Sequence, residues 1–229
     1  MIYLNNYGWN DKLSQLKQES TYNALTHGRI SIVHRTCYEV VSENGLFQCE
    51  LTGNMMYGKS DFELPCTGDW VLFQPFDEHK GIIVDMLPRE RTLYRKKNGT
   101  VADKQAIASY VDKAFIVQSL DDNFNVRRAE RFMVQMQEEN INPVLVFNKA
   151  DLGFDEQKVE EQIRHIARQI PVFFTSIHQP QTILQLRESI SAGETVVFVG
   201  SSGVGKSSLV NALCEKSVLL TSDISLSTG

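Results

Sequence analysis

The chain reads as two domains of different class, a small closed all-β barrel followed by an α/β domain built on a mostly parallel sheet. Five short β-type runs separated by turn residues lie within residues 28–87. From about residue 110 the pattern changes to strands spaced by helix-length segments, and a glycine-rich loop at 200–207 follows an apolar strand and opens a helix.

The barrel runs are RISIV, CYEVV, LFQCEL, DWVLFQ and GIIVDML. Asn44-Gly45 stands between two of them as a tight hairpin requires, and Gly68-Asp69 and Lys80-Gly81 mark further reversals. Five such strands in about 60 residues suit a small closed barrel of the OB or a similar type, an architecture that names no ligand by itself. The expected division is residues 1–88 for an N-terminal segment and the barrel, 89–109 for a basic linker, and 110–229 for the α/β domain.

In that second domain AFIVQSL (114–120) reads as a buried strand, and the segment from Arg127 to Asn140 places Ala129, Phe132, Met133 and Met136 on one helical face. The strand VLVF (144–147) follows, then a charged helix near 155–169, the strand PVFF, a helix near 180–191 and the strand TVVFV ending at Gly200. Strands alternating with helices of this length predict a parallel sheet covered on both faces.

Composition narrows the classes. With 42% hydrophobic and 22% charged residues the chain is of ordinary globular type. It has no apolar run of about 18 residues and no basic-then-apolar N-terminal layout, so a soluble cytoplasmic protein without a membrane partner is expected. Cys37, Cys49, Cys66 and Cys214 form no Cys-x-x-Cys pair; they suggest neither a zinc ribbon nor a disulfide framework and read as small core residues. A net charge of -5 argues against coating nucleic acid by charge alone, so any RNA contact must be local. The densest positive stretch is Arg89, Arg91, Arg95, Lys96 and Lys97, with Lys104 beyond, and it is either an RNA contact or a solvated linker face.

Gly200-Ser201-Ser202-Gly203-Val204-Gly205-Lys206-Ser207 fits the G-x-x-x-x-G-K-[ST] pattern in the strand–loop–helix setting its mechanism needs. The glycines let backbone N–H groups curl around the β-phosphate. Lys206 neutralises the β and γ oxygens and supports phosphoryl transfer, the Ser207 hydroxyl ligates Mg²⁺, and Ser208 lies near the α-phosphate. The loop predicts a nucleoside triphosphate without saying which. The base is read by Asn148-Lys149-Ala150-Asp151, which leaves the strand VLVF. An ionised Asp151 accepts from the N1–H and the 2-amino group of guanine, and adenine offers neither donor on that edge. Asn148 would tie this loop to the base and to the phosphate loop, and Lys149 would lay its methylene stem over the base. Ser176 and Ile177 follow the strand PVFF, where GTPases usually place a Ser-Ala pair whose backbone N–H meets the guanine carbonyl oxygen; a serine-capped loop is the plainer alternative. His178, close by, reads as a surface-loop histidine rather than a catalytic group.

Asn148 precedes Gly200, the reverse of the ordinary motif order, so the domain is circularly permuted, a change that costs little when the original termini lie close together. The combination resembles the ribosome small-subunit-dependent GTPase A family, whose members join an N-terminal OB-type barrel to a permuted P-loop GTPase domain. Besides the nucleotide loops the likeness includes Gly28-Arg29, Gly68-Asp69-Trp70-Val71, Leu87-Pro88-Arg89, Ala108-x-x-Val111-Asp112 and the stretch from Asp121 to Arg131, and it covers nearly the whole chain. It implies a cytoplasmic factor using GTP, GDP and Mg²⁺. Such a factor binds the small ribosomal subunit late in maturation, contacts its rRNA and leaves after GTP hydrolysis. Arg89, Arg91 and Arg95 are the expected RNA contacts, and a monomer is expected.

The family pattern continues past Ser227-Thr228-Gly229 with a Thr-rich first switch, an Asp-x-x-Gly second switch and a cysteine/histidine zinc-binding domain. No Asp-x-x-Gly occurs in the 229 residues. The hydrolytic residues are therefore unassigned, Zn²⁺ is expected only in that further domain, and the chain is expected to be a piece of a longer protein. Such a piece would keep some nucleotide binding with little or no hydrolysis. Two other readings stay open: a P-loop ATPase or small-molecule kinase, which has no need of Asn148 and Asp151, and an RNA-docking barrel whose nucleotide domain does not hydrolyse.

Overall fold

In the computed structural model, which describes residues 1–96, 104–120, 124–216 and 218–219, the change of pattern near residue 110 is a change of fold. The first unit comprises residues 1–112 together with 192–195, and the second comprises 113–191 and the chain from 196 onward. Lys97, Asp121 to Asn123 and Ser227 to Gly229, named above, lie outside the described residues, as does the side chain of Lys96.

The first unit runs α1 (Asp11–Glu19), β1 (Thr26–Val33), β2 (Tyr38–Ser42), β3 (Gly45–Leu51), a single turn α2 (Gly53–Met56), β4 (Trp70–Asp77), β5 (Lys80–Met86), β6 (Leu93–Lys96) and β7 (Lys104–Ala108). Strands β1 to β5 close into a barrel in the order β1-β2-β3-β5-β4, with β3 parallel to β5 and the other pairs antiparallel, an OB-type arrangement. Alternation along the strands turns Ile30, Val40, Phe47, Cys49, Val71, Phe73 and Ile83 inward as one core cluster. Each large apolar side chain so buried stabilises the fold by about 1.5–3 kcal/mol.

Several local expectations shift. Gly45 opens β3 opposite Ser42, so the tight loop is Glu43-Asn44, one residue earlier than expected. Gly81 lies inside β5 rather than at a reversal: a Cβ there would come within 2.7 Å of the Phe73 ring, so close packing, not turning, demands the glycine. Helix α1 was not anticipated, although Asn10 accepts from the Leu13 N–H at 3.1 Å as an N-cap and Leu13 packs with Leu4, Trp70, Leu72 and Tyr110. Residues 89–109, expected as a linker, hold β6 and β7 paired antiparallel, and the unit ends only after Asp112. Cys37, Cys49 and Cys66 are buried, but Cys214 is exposed, since it ends its helix on the solvent side.

The basic stretch is divided by its partners. Arg89 Nε lies 2.9 Å from Asp69 Oδ1 and Nη2 lies 2.6 Å from Asp69 Oδ2, and the remaining donors reach the carbonyls of Phe62 and Leu64. Asp69 is fully buried. Arg91 donates to the Val111 carbonyl at 3.0 Å and pairs with Asp112 at 3.1 Å. Both guanidinium groups are thus committed inside their own unit. Arg95, on β6, is exposed, with one donor on Gln105 Oε1 at 2.7 Å.

The second unit runs β8 (Lys113–Ser119), α3 (Val126–Glu138), β9 (Asn142–Asn148), α4 (Glu156–Ala167), β10 (Val172–Phe174), α5 (Pro180–Glu188), β11 (Val196–Val199) and α6 (Lys206–Cys214). Its sheet is parallel throughout in the order β10-β9-β8-β11. Helices α3 and α4 bring Ala129, Met133, Val159, Ile163 and Ile166 to one face, and α5 and α6 bring Ile183, Leu186 and Leu209 to the other. The chain steps outward from β8 to β10 and then returns to the far side of β8 with β11. The sheet therefore changes winding direction between β8 and β11, where α/β sheets open a crevice at the carboxyl ends of their strands.

Removing Asp69 would leave the Arg89 guanidinium without its counter-charge in a nearly buried place. Asp69→Ala is expected to cost the barrel unit about 3–5 kcal/mol, read as a lower midpoint in urea denaturation; an unchanged midpoint would show that the pair is not holding the barrel.

Candidate functional site

Three loops gather at the carboxyl edge of the second sheet: residues 148–151 after β9, 175–178 after β10 and 200–205 after β11. All the nucleotide-contacting residues expected from the sequence lie on these loops or in the first turn of α6. They are brought together by the strand order, not by nearness in the chain.

Val204 is the floor of the phosphate loop, fully buried with Phe115, Val117 and Leu209. Lys206 opens α6, and its ammonium donates back to the carbonyls of Gly200 at 3.1 Å and Ser201 at 2.6 Å, while burial lowers its pKa. Ser207 and Ser208 follow in the same first turn, half-buried. The N-terminus of α6 carries free backbone N–H groups and the positive end of the helix dipole, so loop and helix together favour an anion of phosphate type.

Asn148 is buried, and its Nδ2 donates to the Val204 carbonyl at 2.9 Å while Oδ1 lies 3.4 Å from Thr175 Oγ1. One amide thus spans the base loop, the loop after β10 and the phosphate loop. Gly205 answers to the same amide: its φ is +91°, and a Cβ would fall 2.2 Å from Asn148 Nδ2. Lys149 takes the left-handed conformation at φ 63°, and Ala150 N–H donates to the Thr175 carbonyl at 3.1 Å. Asp151 stands at the surface, where a hydrogen bond from the Ser176 hydroxyl holds its carboxyl below the usual carboxylate range, with the charge of His178 acting in the same direction. An ionised acceptor beside Ser176 is therefore kept through mildly acid pH.

Two polar contacts were not legible in the motifs. Arg128, in the first turn of α3, donates through Nη1 to Ser201 Oγ of the phosphate loop. Thr182, in the first turn of α5, accepts the Ser176 N–H at 3.0 Å. Arg128 falls within the Asp121 to Arg131 stretch already singled out. For Thr182 the signal was Pro180, which marks the start of a helix directly after the base loop.

Over residues 86–229 the sequence matches the family model described as RsgA GTPase. The chain is 76% identical over 223 residues to the small ribosomal subunit biogenesis GTPase RsgA 1 of Bacteroides thetaiotaomicron, a match covering 97% of this chain and 63% of that protein. It is 35% identical over 220 residues to the small ribosomal subunit biogenesis GTPase RsgA of Methanosarcina acetivorans, covering 95% of this chain and 58% of that one. The chain thus spans roughly three fifths of the length of these curated relatives. Among solved structures, YjeQ from Thermotoga maritima aligns with a TM-score of 0.64 and 27% identity over 82% of this chain and 64% of its own. YloQ, described as a circularly permuted GTPase, aligns with a TM-score of 0.61 over 85% of this chain and 66% of its own; at 23% identity it speaks for the fold alone.

The substitution Gly205→Ala would force a side chain into the left-handed region and against the Asn148 amide. Strain and the lost bond together are expected to cost about 2–4 kcal/mol. Guanidinium denaturation followed through the α/β unit reads this directly, and a wild-type midpoint would mean that the phosphate loop is not held on Asn148.

Proposed function

The chain belongs to the RsgA GTPase family, and from that premise we propose that it binds GTP and GDP as the nucleotide-dependent part of a factor that hydrolyses GTP while acting in the maturation of the small ribosomal subunit. The observation that carries the guanine reading is the joined pair of loops: Asp151, kept ionised by Ser176, is fixed relative to the phosphate loop through Asn148 and Val204. The selection comes from the base edge, where the carboxylate accepts from the guanine N1–H and 2-amino group that adenine lacks, and the join to the phosphate loop holds that carboxylate in place. The N–H of Ile177, which has no partner among the described hydrogen bonds, supplies the donor for the guanine carbonyl oxygen.

Residues Gly200 to Ser208 wrap the phosphates, with Lys206 exchanging its carbonyl partners for β and γ oxygens. The Ser207 hydroxyl has no hydrogen-bond partner among the described residues and sits in the first turn of α6, which suits it to ligate Mg²⁺. When bound, that ion draws charge from the β and γ oxygens. Among the described residues no group of three or more His, Cys, Asp or Glu side chains is arranged to hold a metal ion, and Zn²⁺ is assigned to none of them.

The partner proposed is the small subunit through its rRNA, with the chain acting as a cytoplasmic monomer. Among the described residues no helix is long and apolar enough to cross a membrane. Of the three arginines expected on RNA, Arg95 supports the reading best, because its guanidinium is exposed while Arg89 and Arg91 are engaged within their unit.

Calorimetry with GDP, GTP and ADP tests the nucleotide reading. Asp151→Asn is expected to lower the preference for GDP over ADP by at least about 100-fold, the loss of two charge-assisted bonds; a preference that survives it would remove Asp151 from base recognition. For RNA, Arg95→Ala is expected to weaken small-subunit binding and to lower the slope of log affinity against log salt by about one, whereas an unchanged slope would exclude Arg95 as a phosphate contact.

A further inference from the structure

We propose that Thr182, which lies outside every nucleotide motif, is a positioning residue for guanine recognition: its hydroxyl holds the loop after β10 so that the Ile177 N–H stays available to the carbonyl oxygen of the base. The proposal rests on the guanine reading above and adds the element that fixes one of its donors.

Helix α5 begins with Pro180 at its first position, and its N-cap, Gln179, offers no side-chain cap. Instead a residue inside the first turn, Thr182, turns its hydroxyl back onto the preceding loop. Thr182 Oγ1 accepts the Ser176 N–H at 3.0 Å and lies 2.8 Å from the Gln179 carbonyl, to which it donates. Its proton faces the Gln179 carbonyl and, at 3.3 Å, the Ser176 carbonyl, so both the proton and an accepting lone pair are spent on the loop. The next donor but one is also taken, since the His178 N–H donates to Ser176 Oγ at 3.0 Å. Of three successive backbone donors in this loop, the outer two are satisfied locally and the middle one, Ile177, is left open. Ser176 is buried, so its N–H has no easy recourse to water if the threonine hydroxyl is lost.

Asp151 receives the Ser176 hydroxyl, but its loop is also anchored by a bond that does not involve Ser176, from the Ala150 N–H to the Thr175 carbonyl. Loss of the Thr182 hydroxyl therefore moves the Ile177 donor first, while the Thr175 anchor keeps the Asp151 acceptor at the base. The two parts of base recognition separate chemically. Guanine and hypoxanthine both carry the 6-carbonyl oxygen that Ile177 would meet and the N1–H that Asp151 would accept, and only guanine carries the 2-amino group that gives Asp151 its second bond.

The test is displacement of a fluorescent GDP analogue from the 229-residue chain by GDP, IDP and ADP. The unmodified chain is measured first: equal affinity for GDP and ADP would overturn the guanine reading itself, and the present proposal with it. Given a guanine preference, Thr182→Val is expected to weaken GDP and IDP alike by about tenfold, with the nucleotide-free chain still folded at the assay temperature although its melting midpoint falls, and Thr182→Ser is expected to return both affinities to within about twofold of the original. The proposal is overturned, with the guanine reading intact, if Thr182→Val binds GDP as the original does. A loss confined to GDP with IDP unaffected overturns it too, as does a loss that serine fails to restore.

Discussion

The hydrogen bond from the Asn148 amide to the Val204 carbonyl, 2.9 Å long and buried, joins the end of β9 to the loop after β11, although β8 lies between those two strands. Much of the local geometry is subordinate to it. Gly205 has no side chain because the amide occupies that space, Val204 is pinned beneath by Phe115 and Val117, and Thr175 approaches the other end of the same amide. An amide suits the position because it donates and accepts at once. A carboxylate there would face the Val204 carbonyl without a proton to give. Two loops from distant parts of the chain are thereby held at one spacing by a single buried hydrogen bond.

The barrel unit buries its polar groups by another route. Arg29, nearly buried, donates from Nε to the Gly68 carbonyl at 3.0 Å and also reaches the carbonyls of Tyr7 and Ser109, with its guanidinium over the Trp70 ring. Arg89 meets Asp69 a residue away from Gly68. The segments Gly28-Arg29, Gly68-Asp69-Trp70 and Leu87-Pro88-Arg89, distant in sequence, form one lattice of cation, carboxylate and backbone carbonyls. Their distinctiveness as sequence marks comes from holding this unit together.

The strands were legible because period-two and continuous apolar patterns survive any tertiary setting: RISIV, LFQCEL and AFIVQSL became β1, β3 and β8 nearly as written. The ends of β9, β10 and β11 were legible as loops because the Asn-Lys-x-Asp, Thr-Ser and glycine-rich segments directly follow apolar strands. Arg89, Arg91 and Thr182 were not. Whether an arginine faces solvent or an aspartate twenty positions away, and whether a threonine caps its own helix or the loop before it, depends on distances that only the packed chain defines. Cys214 misled for a related reason, since a small apolar residue at a helix end carries no mark of which way it points.

The sheet order also bears on how the chain is made. Polypeptides emerge amino end first and fold as they emerge. Strands β8, β9 and β10 therefore exist as a connected set before β11 is synthesised, yet β11 is the strand that covers the free edge of β8, in the register Lys113 with Val196 through Ile116 with Val199. During that interval an apolar edge with unpaired backbone groups stands open, the condition that invites pairing with a foreign strand. In this permuted order the segment that carries the glycine-rich loop is also the one that completes the pairing of β8.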